Sequence, residues 1–158
     1  MIIKSFEVNK VKFSNFKSIL LYGLNKGFKE EVTKSNILSG FSGEILRYEE
    51  SEVLDNKETI LEGLINGSLF DEMKLIIISR SSNKILDFIE EFLERNLSNI
   101  QIVINSENLD KKSKLRALFE KDKKLACIPF YEDNNQSLNI FAINFIKGKN
   151  IKISQETV

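Results

Sequence analysis

The sequence at residues 75–78 is Leu75-Ile76-Ile77-Ile78, and this run decides the fold class. A continuous, β-branched run of this length is typical of a strand that is buried on both faces of a sheet. Apolar side chains at helical spacing follow it, at Ile85, Leu86, Ile89, Phe92 and Leu93. Because such a stripe forms one side of an amphipathic helix, the segment is predicted to form a strand and then a helix that packs on the sheet.

The same alternation of strand and helix extends in both directions from this unit. The predicted strands are short apolar runs, at 19–22, 43–48, 75–78, 100–104 and 125–128. The predicted helices lie between them, at 26–38, from about 55, from 85 and around 115–119. Strands that alternate with helices form parallel sheets covered on both faces. The sequence therefore predicts an α/β domain, with a five-stranded parallel sheet flanked by helices.

Composition narrows the classes of function. The 158 residues are 42% hydrophobic and 29% charged, which is typical of a soluble globular protein. Lys plus Arg equals Asp plus Glu at 23 each, so no overall field draws the chain to DNA or an anionic membrane. Histidine is absent and Cys127 is the single cysteine, which disfavours zinc sites and excludes intrachain disulfides. No run reaches the ~18 apolar residues of a membrane span, and a cytoplasmic location is predicted.

A boundary is predicted near the only proline, Pro129, and the polar stretch 132–136. Beyond it, apolar side chains form one helical stripe, at Leu138, Phe141, Ala142, Phe145 and Ile146. We therefore predict a first domain at 1–131 and the beginning of a small helical domain at 132–158. Ser154 resembles a helix N-cap four residues before the end, which predicts that the natural polypeptide is longer.

The first strand-to-helix turn, at 23–30, only partly matches a phosphate-binding loop. Such turns bind phosphate because backbone N–H groups and a helix N-terminus converge there. Against the pattern G-x-x-x-x-G-K-[ST], the turn keeps Gly23 and a lysine, Lys29, but has Phe28 for the second glycine and Glu30 for the Mg²⁺-binding hydroxyl. The ring and the carboxylate both oppose nucleotide binding, so neither a cofactor nor a metal is expected.

The strongest strand also lacks the carboxylates that hold Mg²⁺ in a P-loop enzyme, because residues 79–82 are Ser79-Arg80-Ser81-Ser82. We therefore predict that Gly23 makes a tight turn, that Lys29 is a solvated helix residue, and that the domain has no catalytic site. The alternative is a divergent P-loop NTPase that uses Lys29 and Glu30.

Two large apolar residues, Leu69 and Phe70, are adjacent on a predicted loop before the third strand. Asn66-Gly67 predicts the end of the preceding helix, and Asp71-Glu72 make the other flank polar. Adjacent residues in an extended chain point to opposite sides, so both cannot easily enter one core. The pair either caps the core, the commoner place for Leu and Phe, or anchors a partner that has a hydrophobic slot.

The stretch 67–78 resembles a segment of the delta subunit of the bacterial DNA polymerase III clamp loader, in which Ser-Leu-Phe precedes a charged step and an apolar strand. Further similarities occur in the same order along the chain, at 20–23, 109–115 and 127–130. Together they cover nearly the whole sequence.

The resemblance implies an AAA+-like first domain without ATPase activity, followed by the start of a helical lid domain. It implies that Leu69 and Phe70 bind the beta sliding clamp and favour its open ring, with Ser68 and Met73 beside them. The implied partners are the clamp, the motor subunit and delta prime, with DNA contacted indirectly. Such a chain would be a non-catalytic subunit of DNA polymerase III holoenzyme, which is a DNA-directed DNA polymerase and hence a nucleotidyltransferase.

Two positions differ from the family pattern. Relatives that serve an ATPase site carry Ser-Arg-Cys at the fifth strand, whereas this chain has Leu125-Ala126-Cys127, so the resemblance is to delta rather than to delta prime or the motor subunit. Cys127 is expected to be a small buried strand residue. The family often has a larger residue where this chain has Gly67, which puts a third anchoring contact in doubt.

The stretch 111–124 is basic, with six lysines and Arg116 against Glu120 and Asp122. It could contact DNA or an acidic partner. Lysines beside an apolar stripe are more often the solvated face of a packed helix, and that interpretation is preferred.

Overall fold

The structure is a computed structural model that describes residues 1–68 and 72–132. The strands are β1 (Ser18–Tyr22), β2 (Glu44–Glu49), β3 (Lys74–Ser81), β4 (Ile100–Ser106) and β5 (Leu125–Pro129). The helices are α1 (Lys26–Val32, continued by a π-helix at Thr33–Leu38), α2 (Glu50–Asp55), α3 (Lys57–Ser68), α4 (Leu86–Arg95) and α5 (Lys114–Lys121). The predicted second domain begins at 132, and residues 133–158 lie outside the described part of the chain.

The five strands form one parallel sheet in the order β2-β3-β4-β1-β5. The predicted five-stranded α/β architecture is therefore confirmed. Each strand is connected through at least one helix to the strand that follows it in the sequence. The β-to-α turns therefore lie at the carboxyl edge of the sheet, and the α-to-β turns lie at the amino edge. The two edges present different candidate sites.

Both faces of the sheet are buried, because successive side chains of each strand alternate between two cores. On one face, Leu20, Ile76 and Ile102 pack with the apolar sides of α3, α4 and α5. On the other face, Leu75 and Val103 pack with α1 and with the N-terminal segment. Residues 75–78 are at most 4% exposed, as a strand covered on both faces requires.

The N-terminal segment adds structure for which the sequence pattern made no prediction. Short 3-10 helices at Ser5–Lys10 and Phe13–Asn15 bury Val8 and Phe13 against the second core. Ile3 N donates to Cys127 O at 2.9 Å, and Cys127 N donates to Met1 O at 2.9 Å. These bonds place the first residues beside the outer strand β5.

Two helix boundaries differ from the prediction. The chain forms a separate helix, α2, before the predicted start near residue 55, and its first turn has a capping box in which Glu49 and Glu52 each bond to the other's backbone N–H. A glutamate is an unusual N-cap, so the pattern gave little signal. The turn predicted at Asn66-Gly67 is also wrong, because α3 continues to Ser68. Tertiary packing of Leu61 and Leu64 outweighs the local preference of Asn-Gly.

Cys127 is fully buried in β5, which confirms its expected structural place. Burial raises the pKa of its thiol to about 12. At pH 8 only about one thiol in ten thousand would then be the reactive thiolate, against roughly a quarter for an ordinary cysteine.

We therefore expect the folded protein to react with a thiol-specific disulfide reagent at least about a thousandfold more slowly than the chain unfolded in guanidinium. The measurement is the rate of thionitrobenzoate release at pH 8, with and without denaturant. Rapid labelling of the folded protein would contradict this burial.

None of the helices within 1–68 and 72–132 has both the length and the apolar character needed to cross a bilayer.

Candidate functional site

The turn between β1 and α1 lies at the carboxyl edge, where α/β proteins commonly bind phosphate. Gly23 has φ +120°, and a Cβ built on it would lie 2.0 Å from the carbonyl oxygen of Phe130. Gly23 N donates to Glu107 O at 2.6 Å. The glycine predicted to make a tight turn therefore does so, and its missing side chain admits the backbone after β5 rather than a ligand.

Several backbone donors of this turn are bonded within the protein. Asn25 N donates to Phe130 O at 3.2 Å, and Lys29 N donates to Asn25 O at 3.2 Å. Phe28 N donates to the side-chain oxygen of Asn25 at 3.1 Å. A phosphate nest needs several such N–H groups directed at the anion. These donors instead satisfy the turn and the start of α1.

Phe28 replaces the second glycine of the P-loop pattern, and its ring packs against Phe130. The two ring centroids are 5.2 Å apart, with the planes at 89°, the edge-to-face geometry favoured by aromatic quadrupoles. The residue that opposes nucleotide binding therefore joins α1 to the end of β5.

Lys29 is not the solvated residue that the sequence predicted. Its side chain is 2% exposed, and its Nζ donates to Ser106 O, at the end of β4, at 2.7 Å. The prediction failed because Lys29 and Val32 share the face of α1 that packs on the sheet. Burial lowers the pKa of Lys29, and the charge of Glu107 opposes that effect. Glu30, by contrast, is exposed.

The cavity beside this turn has a volume of about 290 Å³ and contains opposite charges in equal number. Its charged and polar lining comprises Lys26, Lys29, Glu30, Glu49, Ser79, Arg80, Asn105, Ser106 and Glu107. Lys26 Nζ lies 3.2 Å from Glu107 Oε1, and Arg80 Nη1 lies 3.2 Å from Glu49 Oε2. The cations that a polyphosphate would need are thus partnered by neighbouring groups.

Replacing Lys29 with Met tests this structural role. Because the Ser106 carbonyl would lose its buried donor, we expect Lys29→Met to lower the free energy of unfolding by about 1–3 kcal/mol. Lys26→Met is the matched control, since its side chain is 70% exposed, and it should stay within ~0.5 kcal/mol of the parent. Urea denaturation measures both variants. Equal stability of the two variants would contradict a structural Lys29, and Mg-ATP binding lost in Lys29→Met would favour the NTPase alternative.

The segment predicted to carry the anchors follows α3 and precedes β3, and its described flanks, Ser68 and Lys74, lie at the opposite, amino edge of the sheet. Asn66 and Gly67, which were predicted to form a turn, belong to α3. Leu69 and Phe70 lie outside the described residues, and their role as anchors stays a prediction. Met73 is described and is 45% exposed, and its carbonyl accepts a bond from Glu44 N at 3.0 Å. An apolar side chain is thus available beside the predicted anchors.

The basic stretch 111–124 lies around α5. Its lysines are exposed, whereas Leu115 and Phe119 are buried, as a solvated helix face requires. Arg116 Nε bonds to Glu120 Oε1 at 2.6 Å. Three lysines lie at the start of α5, toward the carboxyl edge, and three lie at its end, toward the amino edge. The helix between them has 8 residues and is about 12 Å long. They form two groups at opposite ends of the helix rather than one patch.

Neither a protein-family model nor a curated protein sequence matches this chain. Among solved structures, the fold is similar to that of the DNA clamp loader delta protein of Bacillus subtilis, with a TM-score of 0.67 and 16% sequence identity. The alignment covers 96% of this chain and 50% of that protein. A structure of a DNA replication initiation factor aligns over the same fractions at 13% identity, but its TM-score of 0.42 is too low to indicate a shared fold.

The chain therefore has the fold of a clamp loader delta protein and spans about half the length of that relative. The five-stranded parallel sheet flanked by helices is consistent with the AAA+-like fold expected from the sequence. An identity of 16% establishes the fold and no more.

Proposed function

We propose that this chain is the clamp-contacting part of a clamp loader delta subunit, which binds the beta sliding clamp through Leu69 and Phe70 and favours the open ring. The observation that carries the proposal is the fold similarity over 96% of the chain, together with a phosphate-type turn whose donors are used internally. Because several donors of the turn at 23–30 are used within the protein, the proposal places the function at the amino edge.

The support for the anchors comes from the elements on either side of them. Helix α3 packs into the core through Leu61 and Leu64, and β3 pairs with strands on both sides. An apolar pair connected directly to two rigid elements loses less conformational entropy on binding than one in a long loop. Met73, which is exposed just before β3, adds an apolar side chain to the proposed contact.

Burial of the two anchors supplies much of the binding free energy that a stable complex needs, but not all of it. Burial of an exposed Leu or Phe contributes about 1.5–3 kcal/mol, so the pair supplies roughly 3–6 kcal/mol. A complex with a Kd of about 1 μM needs about 8 kcal/mol. Ser68 and Met73 are therefore included in the proposed contact, as neighbours that complete the interface around the two anchors.

The wider role is proposed from the same fold. In a full loader, this subunit would have no catalytic site or cofactor of its own and would assemble with the motor subunit and delta prime, contacting DNA through the clamp. It would act in DNA replication in the cytoplasm, as a part of DNA polymerase III holoenzyme. Residues 132–158 would begin the helical lid domain that follows the domain at 1–131.

A clamp-release assay tests the proposal. Labelled clamp is loaded on nicked circular DNA, and its loss is followed after the intact chain is added. We expect release to accelerate by about tenfold or more, because a preference of ~1.4 kcal/mol for the open ring has that effect. On linear DNA the clamp slides off the ends, and the chain should have little further effect. Unchanged release from the circle would contradict ring opening.

A further inference from the structure

The last turn of α3 is packed against the side chain of Lys74. A Cβ built on Gly67 would lie 3.1 Å from Lys74 Cε and 3.3 Å from Lys74 Nζ, closer than ordinary van der Waals contact. The Lys74 side chain is only 15% exposed, although it begins a strand at the rim of the sheet. Its position is therefore set by the helix on one side and by the sheet on the other.

The ammonium of Lys74 forms an ion pair and hydrogen bond with the carboxylate of Glu44. Glu44 is the residue directly opposite Lys74 in the pairing of β2 with β3, so both side chains point to the same face of the sheet. The bond to Glu44 raises the pKa of Lys74. A cation beside the last turn of a helix also interacts favourably with the carbonyl end of the helix dipole.

Backbone bonds fix the chain where it returns to the sheet. Lys74 N donates to Asn99 O at 2.9 Å, and the Asn99 side-chain amide donates to Glu72 O at 3.0 Å. Glu44 N donates to Met73 O at 3.0 Å. Residues 72–74 are therefore held by β2 on one side and by the start of β4 on the other.

We propose that Lys74 is a positioning residue for the Leu69-Phe70 anchor. Paired with Glu44, it holds the last turn of α3 against the start of β3 and so fixes the two ends of the connection that carries the anchor. Gly67 is the residue that admits the Lys74 side chain. The inference deepens the proposed clamp contact and rests on it.

The position of Lys74 also accounts for Gly67, where the family often has a larger residue. The resemblance placed a larger residue there, which would offer a third contact. In this chain the space next to Gly67 is occupied by Lys74. A larger residue at this position would present its side chain to a partner. Gly67 instead makes room for Lys74, whose contact orients the end of α3.

Amide hydrogen exchange of the free protein tests the positioning without any clamp. We expect Lys74→Met to raise the exchange rates of the Ile65, Asn66 and Gly67 amides by about three- to tenfold, as loss of a partly buried ion pair predicts. The charge swap Glu44→Lys with Lys74→Glu should recover part of that protection. Lys57→Met is the matched control, because Lys57 pairs with Glu91 at 3.0 Å at the other end of α3, and it should leave these amides unchanged.

Clamp affinity gives the second measurement. Lys74→Met should weaken clamp binding by about three- to tenfold, whereas the control Lys57→Met should leave it unchanged. If the amides of Ile65, Asn66 and Gly67 exchange at the same rate in Lys74→Met as in the parent, the positioning role is overturned even if the clamp binds. Raised exchange without any change in clamp affinity would overturn it too. Clamp binding that survives Leu69→Ala with Phe70→Ala would instead overturn the anchor, and with it the positioning role. A rise in amide exchange in Lys74→Met would then show only that the ion pair with Glu44 stabilises the end of α3.

Discussion

Leu69→Ala combined with Phe70→Ala is expected to abolish measurable association with the beta sliding clamp. Removing both side chains forfeits roughly 3–6 kcal/mol of apolar burial, which corresponds to a loss of affinity of about 10²- to 10⁴-fold. The fold should be retained, since the described residues form both cores of the sheet from the strands and helices on either side of this pair. Surface plasmon resonance with immobilised clamp, together with circular dichroism, measures both properties.

The chain offers a matched control for that experiment. Leu24 and Phe6 are a leucine and a phenylalanine at other places in the fold, and they are 47% and 66% exposed. Leu24 lies in the turn at the carboxyl edge, and Phe6 lies in the N-terminal 3-10 helix. Leu24→Ala with Phe6→Ala removes similar apolar area at other places and should leave clamp affinity unchanged. Equal losses in both double variants would show that the effect is not specific to the anchor.

Gly23→Ala is expected to have the largest effect on stability. The residue has φ +120°, a conformation that L side chains rarely adopt, and its new Cβ would meet the carbonyl oxygen of Phe130 at 2.0 Å. Backbone strain and the clash together should cost at least about 3 kcal/mol, enough to unfold much of a marginally stable domain. Urea denaturation monitored by circular dichroism measures the loss.

Gly27→Ala is the control for this substitution. Gly27 lies in α1, only four residues further along, and nothing lies within 4 Å of a Cβ built on it. Because alanine is a better helix former, Gly27→Ala should stabilise the protein by up to about 1 kcal/mol. If Gly23→Ala were as stable as Gly27→Ala, the close approach of this turn to Phe130 would be wrong.

These two glycines also separate the structural from the catalytic interpretation of the turn. In a working phosphate loop, glycine lets the backbone approach an anion. Here Gly23 approaches Phe130, Phe28 packs on the ring of the same residue, and Lys29 bonds to Ser106. The lysine at the position of a P-loop lysine thus connects α1 to the end of β4 by a hydrogen bond. The turn is maintained by packing within the domain.

The fold was predictable because its signals are local and repeated. The run at 75–78 and the helical stripe after it specify one β-α unit, and four further strands follow the same rule. The order of the strands was not predictable, because it depends on which strand edges pair across long stretches of sequence. Residues 1–17 were missed since short 3-10 helices have no strong periodic pattern.

The errors at single residues have tertiary causes. Lys29 was predicted to be solvated from its residue type, yet it shares the inward face of α1 with Val32 and finds an acceptor at the end of β4. Asn66-Gly67 was predicted to end a helix, yet packing carries α3 to Ser68. The Glu44–Lys74 pair could not be inferred from the sequence, because its partners are 30 residues apart and meet only through strand register. The anchor stays a prediction, which rests on two adjacent apolar residues between polar flanks and on the resemblance of this stretch to the delta subunit.

The most direct test of the central claim is an isothermal titration of the intact chain into the purified beta sliding clamp of the same organism. The account predicts saturable binding with a Kd of about 10 μM or tighter, and its loss in Leu69→Ala with Phe70→Ala. No saturable binding at clamp concentrations up to about 100 μM, or binding that the double substitution leaves intact, would contradict a clamp contact through this pair.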